Sequence, residues 1–363
     1  MRAQVIVCCG SGGVGKTTMS SALALSWAMA GARVVVVTID PARRLADSIG
    51  VELDNQPRQL PLTGAAQGGE LHAVMLDTQA TFDDLVDQFS ATPEDAQTIR
   101  NNRYYRFAST RLGGAHEYMA AEKVRELTQS GAFDIVVVDT PPTRNAMDFI
   151  TAPDRMAKLM DGAVMRWIAM PATRSGWRAL EFGSEAAARV LRRLVGRGTI
   201  GEIAQFFDLF RGLWDGFHAR SMEFHSMLRD PRTRFLLITT PAPSARSEAL
   251  YFLEKLQEEE MPFGGFIVNR HVPMPVHALK PEVLPEHGPL PDIQWQQALE
   301  DLRTAPELTS QIAQSQHRSI SALKAAGPPQ ASCWQVPHMG RELHDIEALH
   351  TVSAWLPDID ELI

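Results

Sequence analysis

The stretch AQVIVCCGSGGVGKTT, residues 3–18, decides how the chain is read. Its first half is a continuous apolar run bounded by glycine, the pattern of a strand buried on both faces of a parallel sheet. Its second half fits G-x-x-x-x-G-K-[ST] through Gly10, Gly15, Lys16 and Thr17, with a strand before it and a helix after it as a phosphate-binding loop requires. Glycines let successive backbone N–H groups converge on phosphate oxygens, and the helix N-terminus adds donors and partial positive charge. The predicted nucleotide cradle is Gly10, Ser11, Gly12, Gly13, Val14, Gly15, Lys16, Thr17 and Thr18. Lys16 would neutralise the β- and γ-phosphates, and the Thr17 hydroxyl would ligate Mg²⁺.

Outward from the loop, residues 16–30 read as an Ala-rich helix stopped by Gly31, and ARVVVVTID (32–40) as a second buried strand. That is a βαβ unit. Further strands are expected at 70–77, 133–143, 234–243 and 264–272, with a final short one at 331–339. Residues 80–130 and 244–260 read as helical, as does a last helix near 341–356, while 54–70, 281–291 and 325–330 read as connections. Between 151 and 230 no strand pattern occurs, only helix-period apolar residues. The expected fold is α/β: a doubly wound, mostly parallel sheet formed by 1–150 and 231–363, with an all-helical subdomain inserted at 151–230.

Ligand-handling residues of such a sheet sit at the carboxyl ends of neighbouring strands. Asp40 ends the second strand and Asp139 ends VVVD. Asp139 suits a carboxylate acting on Mg²⁺, often through water, with a helix N-cap as the alternative. For Asp40 the alternatives are orientation of an attacking water and an N-cap before Pro41.

Taken together, the loop, TIDPARRLADSIG (38–50), DTPPTRNAMDFI (139–150) and FIVNR (266–270) resemble the anion-transporting ATPase family. That family includes arsenical-pump ATPases and ATPases that target tail-anchored membrane proteins; its members are dimeric nucleotide switches. The resemblance runs along most of the chain and weakens in 151–230 and 275–330. It implies an ATPase using ATP and Mg²⁺, with Asp40 as the switch I aspartate and Asp139, Thr140, Pro141, Pro142 and Thr143 as switch II. It implies Asn269 as the adenine-reading residue and places Pro337 in the adenine loop.

The family's loop reads KGGxGK[ST], and its first lysine reaches the partner's nucleotide across the dimer. Ser11 occupies that position here. Serine cannot replace a charge, so three readings stand. A paralogous subunit bearing the lysine could complete a heterodimer; Arg43 or Arg44 could supply the cation within a homodimer; or the chain could bind ATP with hardly any turnover. Switch II departs as well, with Arg144-Asn145 where a Gly-His pair is usual. The thiolates of arsenite-handling members are missing.

In targeting members the helical region forms an apolar groove for a client's hydrophobic helix. Here 151–230 carries Met156, Met160, Met165, Met170, Met222 and Met227 and a set running Phe206, Phe207, Phe210, Trp214, Phe217. Such a surface suits an adaptable hydrophobic protein client, or these side chains pack helices together. The arginines at 189, 192, 193 and 197 read as a solvated face. A net charge of −8 argues against a nucleic-acid footprint. His271, His277 and His287 lie among prolines without metal-ligand spacing. Cys8, Cys9 and Cys333 form no CxxC pair, the apolar runs are too short to span a bilayer, and the first strand begins near Gln4. The expectation is a cytoplasmic protein without an integral membrane segment.

Overall fold

The computed structural model describes residues 3–40, 45, 51–102, 105, 115–142, 147, 149–151, 219–274, 292–329, 331–340 and 345–362. An eight-stranded sheet runs through them: β1 (Gln4–Cys9), β2 (Arg33–Thr38), β3 (Arg58–Leu60), β4 (Glu70–Met75), β5 (Ile135–Asp139), β6 (Thr233–Thr239), β7 (Phe263–His271) and β8 (Ser332–Pro337). Their order is β3-β4-β2-β5-β1-β6-β7-β8. Every neighbouring pair is parallel except β3 with β4. The chain winds outward from β1 in both directions, which is the doubly wound arrangement expected from the βαβ opening.

The side chains of β1 divide by the two-residue period of a strand. Val5, Val7 and Cys9 join the core on one face; Ile6 and Cys8 join the core on the other. The valines of β2 and β5 divide the same way, so the continuous apolar runs are explained by helices covering both faces. One cover is helix α1 (Lys16–Met29), the other includes α4 (Ala115–Gln129) and α5 (Pro243–Glu258). Helices α2 (Thr78–Phe89) and α3 (Pro93–Asn101) precede α4, and α6 (Asp292–Ala326) and α7 (Ile346–Ser353) follow α5. Asp77 caps α2 by accepting from the Ala80 N–H, and Thr92 caps α3 by accepting from Asp95 N–H.

Helix α1 is apolar almost all round because it is buried between the sheet and α7. Leu23, Leu25 and Trp27 are at most 1% exposed, each such burial stabilising by roughly 1.5–3 kcal/mol. Trp27 Nε1 donates to the Pro357 carbonyl at 3.0 Å, which fastens the C-terminal segment to the loop helix. The helix stops at Gly31, whose φ of 110° is open to glycine at little cost.

Three features depart from the sequence reading. The connection at 54–70 contains β3, a short antiparallel edge strand whose Arg58 and Gln59 are exposed. Residues 292–326, given no element by the sequence, form one 35-residue helix. Pro306 lies within it, and proline ordinarily ends a helix. Tertiary packing outweighs that signal, since Ala313, Ile320 and Leu323 are buried and Ser319 Oγ donates to the Pro241 carbonyl at 2.9 Å. The expected helical subdomain falls mainly on 152–218, outside the described residues. Residues 219–229 are helical, and Phe224, Met227 and Leu228 pack into the same core as β1 and β5.

A buried ionic cluster joins this helix to α4. Glu122 pairs with Arg125 and with Arg220, and all three side chains are at most 14% exposed. Arg125 also reaches Glu223 at 3.4 Å, and Arg220 lies 4.5 Å over the Phe89 ring.

Candidate functional site

The site is built at the carboxyl ends of β2, β5, β1 and β7. β1 gives way to Gly10, where an added Cβ would lie 2.1 Å from the Ile238 carbonyl oxygen of β6. Only glycine lets the chain leave the sheet there. Gly13 and Gly15 take φ of 80° and 93°, turning the loop tightly into α1. Gly12 and Gly13 are exposed at the loop's crest. Lys16 begins the helix and is 7% exposed; its Nζ donates to the Ser11 carbonyl at 2.9 Å. Thr17 and Thr18 follow in the first turn. All nine cradle residues named from the sequence thus form one continuous loop and helix start.

Thr17 Oγ1 donates to Asp139 Oδ2 at 2.8 Å, although 122 residues separate them. Thr38 Oγ1 donates to the same oxygen at 3.1 Å. Asp139 is fully buried, and its Oδ1 has no hydrogen-bond partner. Burial pushes the carboxyl up to about 6, against the Thr17 hydroxyl, Lys16 and the Thr38 hydroxyl, while the Asp40 charge raises it further. A fully buried carboxylate with one unpartnered oxygen is costly unless a positive group completes it. Asp139 and Thr17 therefore fit as the pair that could hold a hard divalent cation, the carboxylate directly or through water.

Asp40 lies two residues past the end of β2, and Thr38 is in register with Asp139. Between them, Ile39 is held at several points. Its N–H donates to the Asp139 carbonyl at 3.0 Å and its side chain is 1% exposed. Its carbonyl lies 3.0 Å from His116 Nε2, and His116 Nδ1 lies 2.7 Å from Thr78 Oγ1. Just past the end of β5, Thr140 Oγ1 donates to the Cys8 carbonyl at 2.8 Å, tying β5 to β1 just before the loop. Burial pushes the Cys9 thiol up to about 12 and raises that of Cys8 as well, so neither is a nucleophile.

Asn269 ends up against the phosphate loop. Its Nδ2 donates to the Val14 carbonyl at 2.8 Å, and its Oδ1 accepts from the Arg270 N–H at 2.8 Å. A Cβ on Gly15 would lie 2.4 Å from that Nδ2. Pro337 ends β8 opposite His271, two residues beyond Asn269 on the neighbouring strand. Arg43, Arg44, Thr143, Arg144 and Asn145 lie outside the described residues, as do His277, His287 and the insertion residues from Met156 to Phe217. Among the described residues no group of three or more His, Cys, Asp or Glu is placed to hold a metal. None of their helices is long and apolar enough to cross a membrane.

Two participants went unnoticed in the sequence. Thr38 had a signal, a hydroxyl residue closing a valine run one strand away from Asp139. His116 had none, being 77 residues from the carbonyl it meets.

The family described as anion-transporting ATPase matches residues 3–280, a span that takes in the loop, Asp40, Asp139 and Asn269. ATPase BagA of Mycobacterium tuberculosis is 24% identical over 276 residues, which is 73% of this chain and 64% of that protein. An ATPase ASNA1 homolog of Babesia bovis is 25% identical over 262 residues, 72% of this chain and 64% of that protein. ATPase get3 of Schizosaccharomyces japonicus is 29% identical over 152 residues, 42% of this chain and 44% of that protein. The chain thus spans 64% of the length of the first two relatives. A match that runs through the ordered strand ends and through most of the chain makes this protein a member of the anion-transporting ATPase family.

Proposed function

We propose that this chain binds Mg²⁺–ATP and hydrolyses it, and that the hydrolysis opens and closes a cytoplasmic dimer which handles a hydrophobic protein client. The observation that carries the ATPase reading is the bond from Thr17, in the first turn after the loop, to the buried Asp139 carboxylate with its unpartnered Oδ1. The loop N–H groups and Lys16 hold the β- and γ-phosphates and stabilise the charge that develops on the transferring phosphoryl. Thr17, with Asp139 through water, is the pair that holds Mg²⁺, which when bound neutralises charge shared by the two phosphates. Asp40 orients the attacking water. Asn269 braces Val14 and Gly15 from behind, and with Pro337 it borders the place assigned to the base. The client rests on the family resemblance and on the methionine-rich 151–230 segment alone.

Ser11 favours a second reading: a weakly active or regulatory subunit whose lysine-bearing paralogue completes a heterodimer. Steady-state ATP hydrolysis by the purified chain, beside Lys16→Ala and Ser11→Lys, separates the two. Turnover that disappears in Lys16→Ala supports a self-sufficient enzyme. ATP binding without turnover, with activity gained in Ser11→Lys, supports the heterodimer. No ATP binding at all refutes both.

A further inference from the structure

We propose that His116 is a positioning residue for Asp40, acting through the carbonyl of Ile39. The inference rests on the reading of Asp40 as the residue that orients water, and it adds a group 77 residues away along the chain that meets the backbone just before Asp40. The Ile39 carbonyl oxygen can only accept, so the His116 Nε2 that meets it at 3.0 Å carries the proton and donates. In the neutral ring Nδ1 then accepts from the Thr78 hydroxyl, 2.7 Å away. Both ring nitrogens are satisfied and the tautomer is fixed by its two partners. The Ile39 oxygen and the Asp40 nitrogen share one rigid peptide plane. Holding the oxygen therefore sets the direction in which the Asp40 Cα leaves β2.

The other constraints on this peptide come from the sheet. Ile39 N–H is bound by the Asp139 backbone, and its side chain is buried. These restrain Ile39 but leave rotation about its ψ, the torsion that aims the following peptide. His116 restrains that torsion from the first turn of α4, while Thr78 supplies its support from the first turn of α2. A water-orienting carboxylate displaced by a fraction of an ångström loses rate without losing ATP affinity, because the water is positioned only for attack.

The test uses three variants of the full chain. His116→Gln places an amide nitrogen near the position of Nε2 and keeps the donor to Ile39. His116→Asn reaches only the Nδ1 position and loses it. Thr78→Val removes the support but leaves the donor. Two readouts are taken: kcat and KM for ATP, and amide hydrogen exchange in peptides covering residues 38–40. For His116→Asn the expected result is a kcat about tenfold lower with KM within about twofold, the size expected for one lost hydrogen bond. Exchange at these amides should rise about tenfold with the melting temperature nearly unchanged. His116→Gln should restore both readouts and Thr78→Val should fall between them. Unchanged exchange in His116→Asn, or a Gln variant indistinguishable from Asn, overturns the proposal, as does a loss that appears in KM rather than kcat. A wild-type chain without turnover refutes the hydrolysis reading alone. The exchange arm needs no turnover, and a rise there reversed by Gln upholds the anchor.

Discussion

Replacing the loop glycines one at a time by alanine should give a graded loss of stability that the geometry fixes in advance. At Gly12 an added Cβ meets nothing within 4 Å and the backbone is outside the left-handed region, so the change is near zero, or a gain of about 0.5 kcal/mol from a stiffer unfolded chain. Gly13 has equally open space but a φ of 80°, so only the left-handed strain applies, about 1–2 kcal/mol. At Gly15 the same strain is joined by a contact at 2.4 Å with Asn269 Nδ2. Relieving it breaks the bond to Val14, which adds about 1 kcal/mol and brings the cost to about 2–3 kcal/mol. At Gly10 the obstacle is the Ile238 carbonyl oxygen at 2.1 Å, a backbone atom of β6 held where that strand pairs with β7, and about 3 kcal/mol or more is expected. Thermal unfolding of the nucleotide-free protein reads the series. For a chain of this length each kcal/mol moves the melting temperature by about 1–1.5 °C, so Gly15→Ala should fall by about 3–4 °C and Gly12→Ala should not move. Repeating Gly15→Ala in an Asn269→Ala background should lower its cost by about 1 kcal/mol. A Gly12→Ala loss as large as that of Gly15→Ala, or a Gly15→Ala cost indifferent to Asn269, would refute the reasoning.

Other outcomes follow from single contacts. Thr38→Val keeps shape but removes one of the two hydroxyls on Asp139 Oδ2; ATP turnover should fall about tenfold with little change in melting temperature, measured by steady-state kinetics. Glu122→Ala removes the carboxylate shared by Arg125 and Arg220 in a nearly buried site and leaves Arg125 the longer ion pair with Glu223; a loss of about 3 kcal/mol is expected in thermal unfolding, far above the effect of Glu258→Ala at an exposed pair. His72 packs edge-on to Phe133, and burial lowers its pKa from 6.5, against the pull of Glu70. Below that value the unfolded chain takes the proton more readily than the native one, so this site makes stability decline as pH drops through 6.5 toward the lower native value. His72→Phe should flatten that part of a melting-temperature profile against pH, and an unaltered slope would assign the effect to other groups.

What the sequence disclosed follows a physical division. β1, β2 and β5 were legible because strands buried on both faces must be continuous apolar runs, and their valines left no other assignment. The phosphate loop was legible because its conformation demands glycine at fixed spacing: Gly10 for the Ile238 oxygen, Gly15 for its left-handed turn. Asp139 could be named because a charge that ends such a run leaves few readings, a ligand-handling carboxylate or a helix N-cap. Helix α6 was obscured by Pro306, a local signal outweighed by the burial of Ala313, Ile320 and Leu323. β3 has only three residues and gains its identity from pairing with β4. His116 and the Arg220 arm of the Glu122 cluster were invisible because their meaning lies in partners far along the chain. Asn269 illustrates a mixed case, since a role in reading adenine was inferred by likeness while its place beside the loop, with bonds to Val14 and Arg270, appears only in three dimensions.

The fastening of Trp27 to Pro357 bears on how much of this polypeptide must be made for any of it to fold. The family match stops at residue 280, yet Leu349, Val352, Leu356 and Leu362 share the core that surrounds α1. β8, paired along the edge of β7, also lies beyond that limit. A protein truncated where recognisable kinship ends would present the bare flank of its own nucleotide helix to solvent, together with an unpaired strand edge open to other chains. Trimming to the shared region would yield aggregates rather than a minimal ATPase. The tail belongs to the folding unit even though inheritance of the family signature does not reach it.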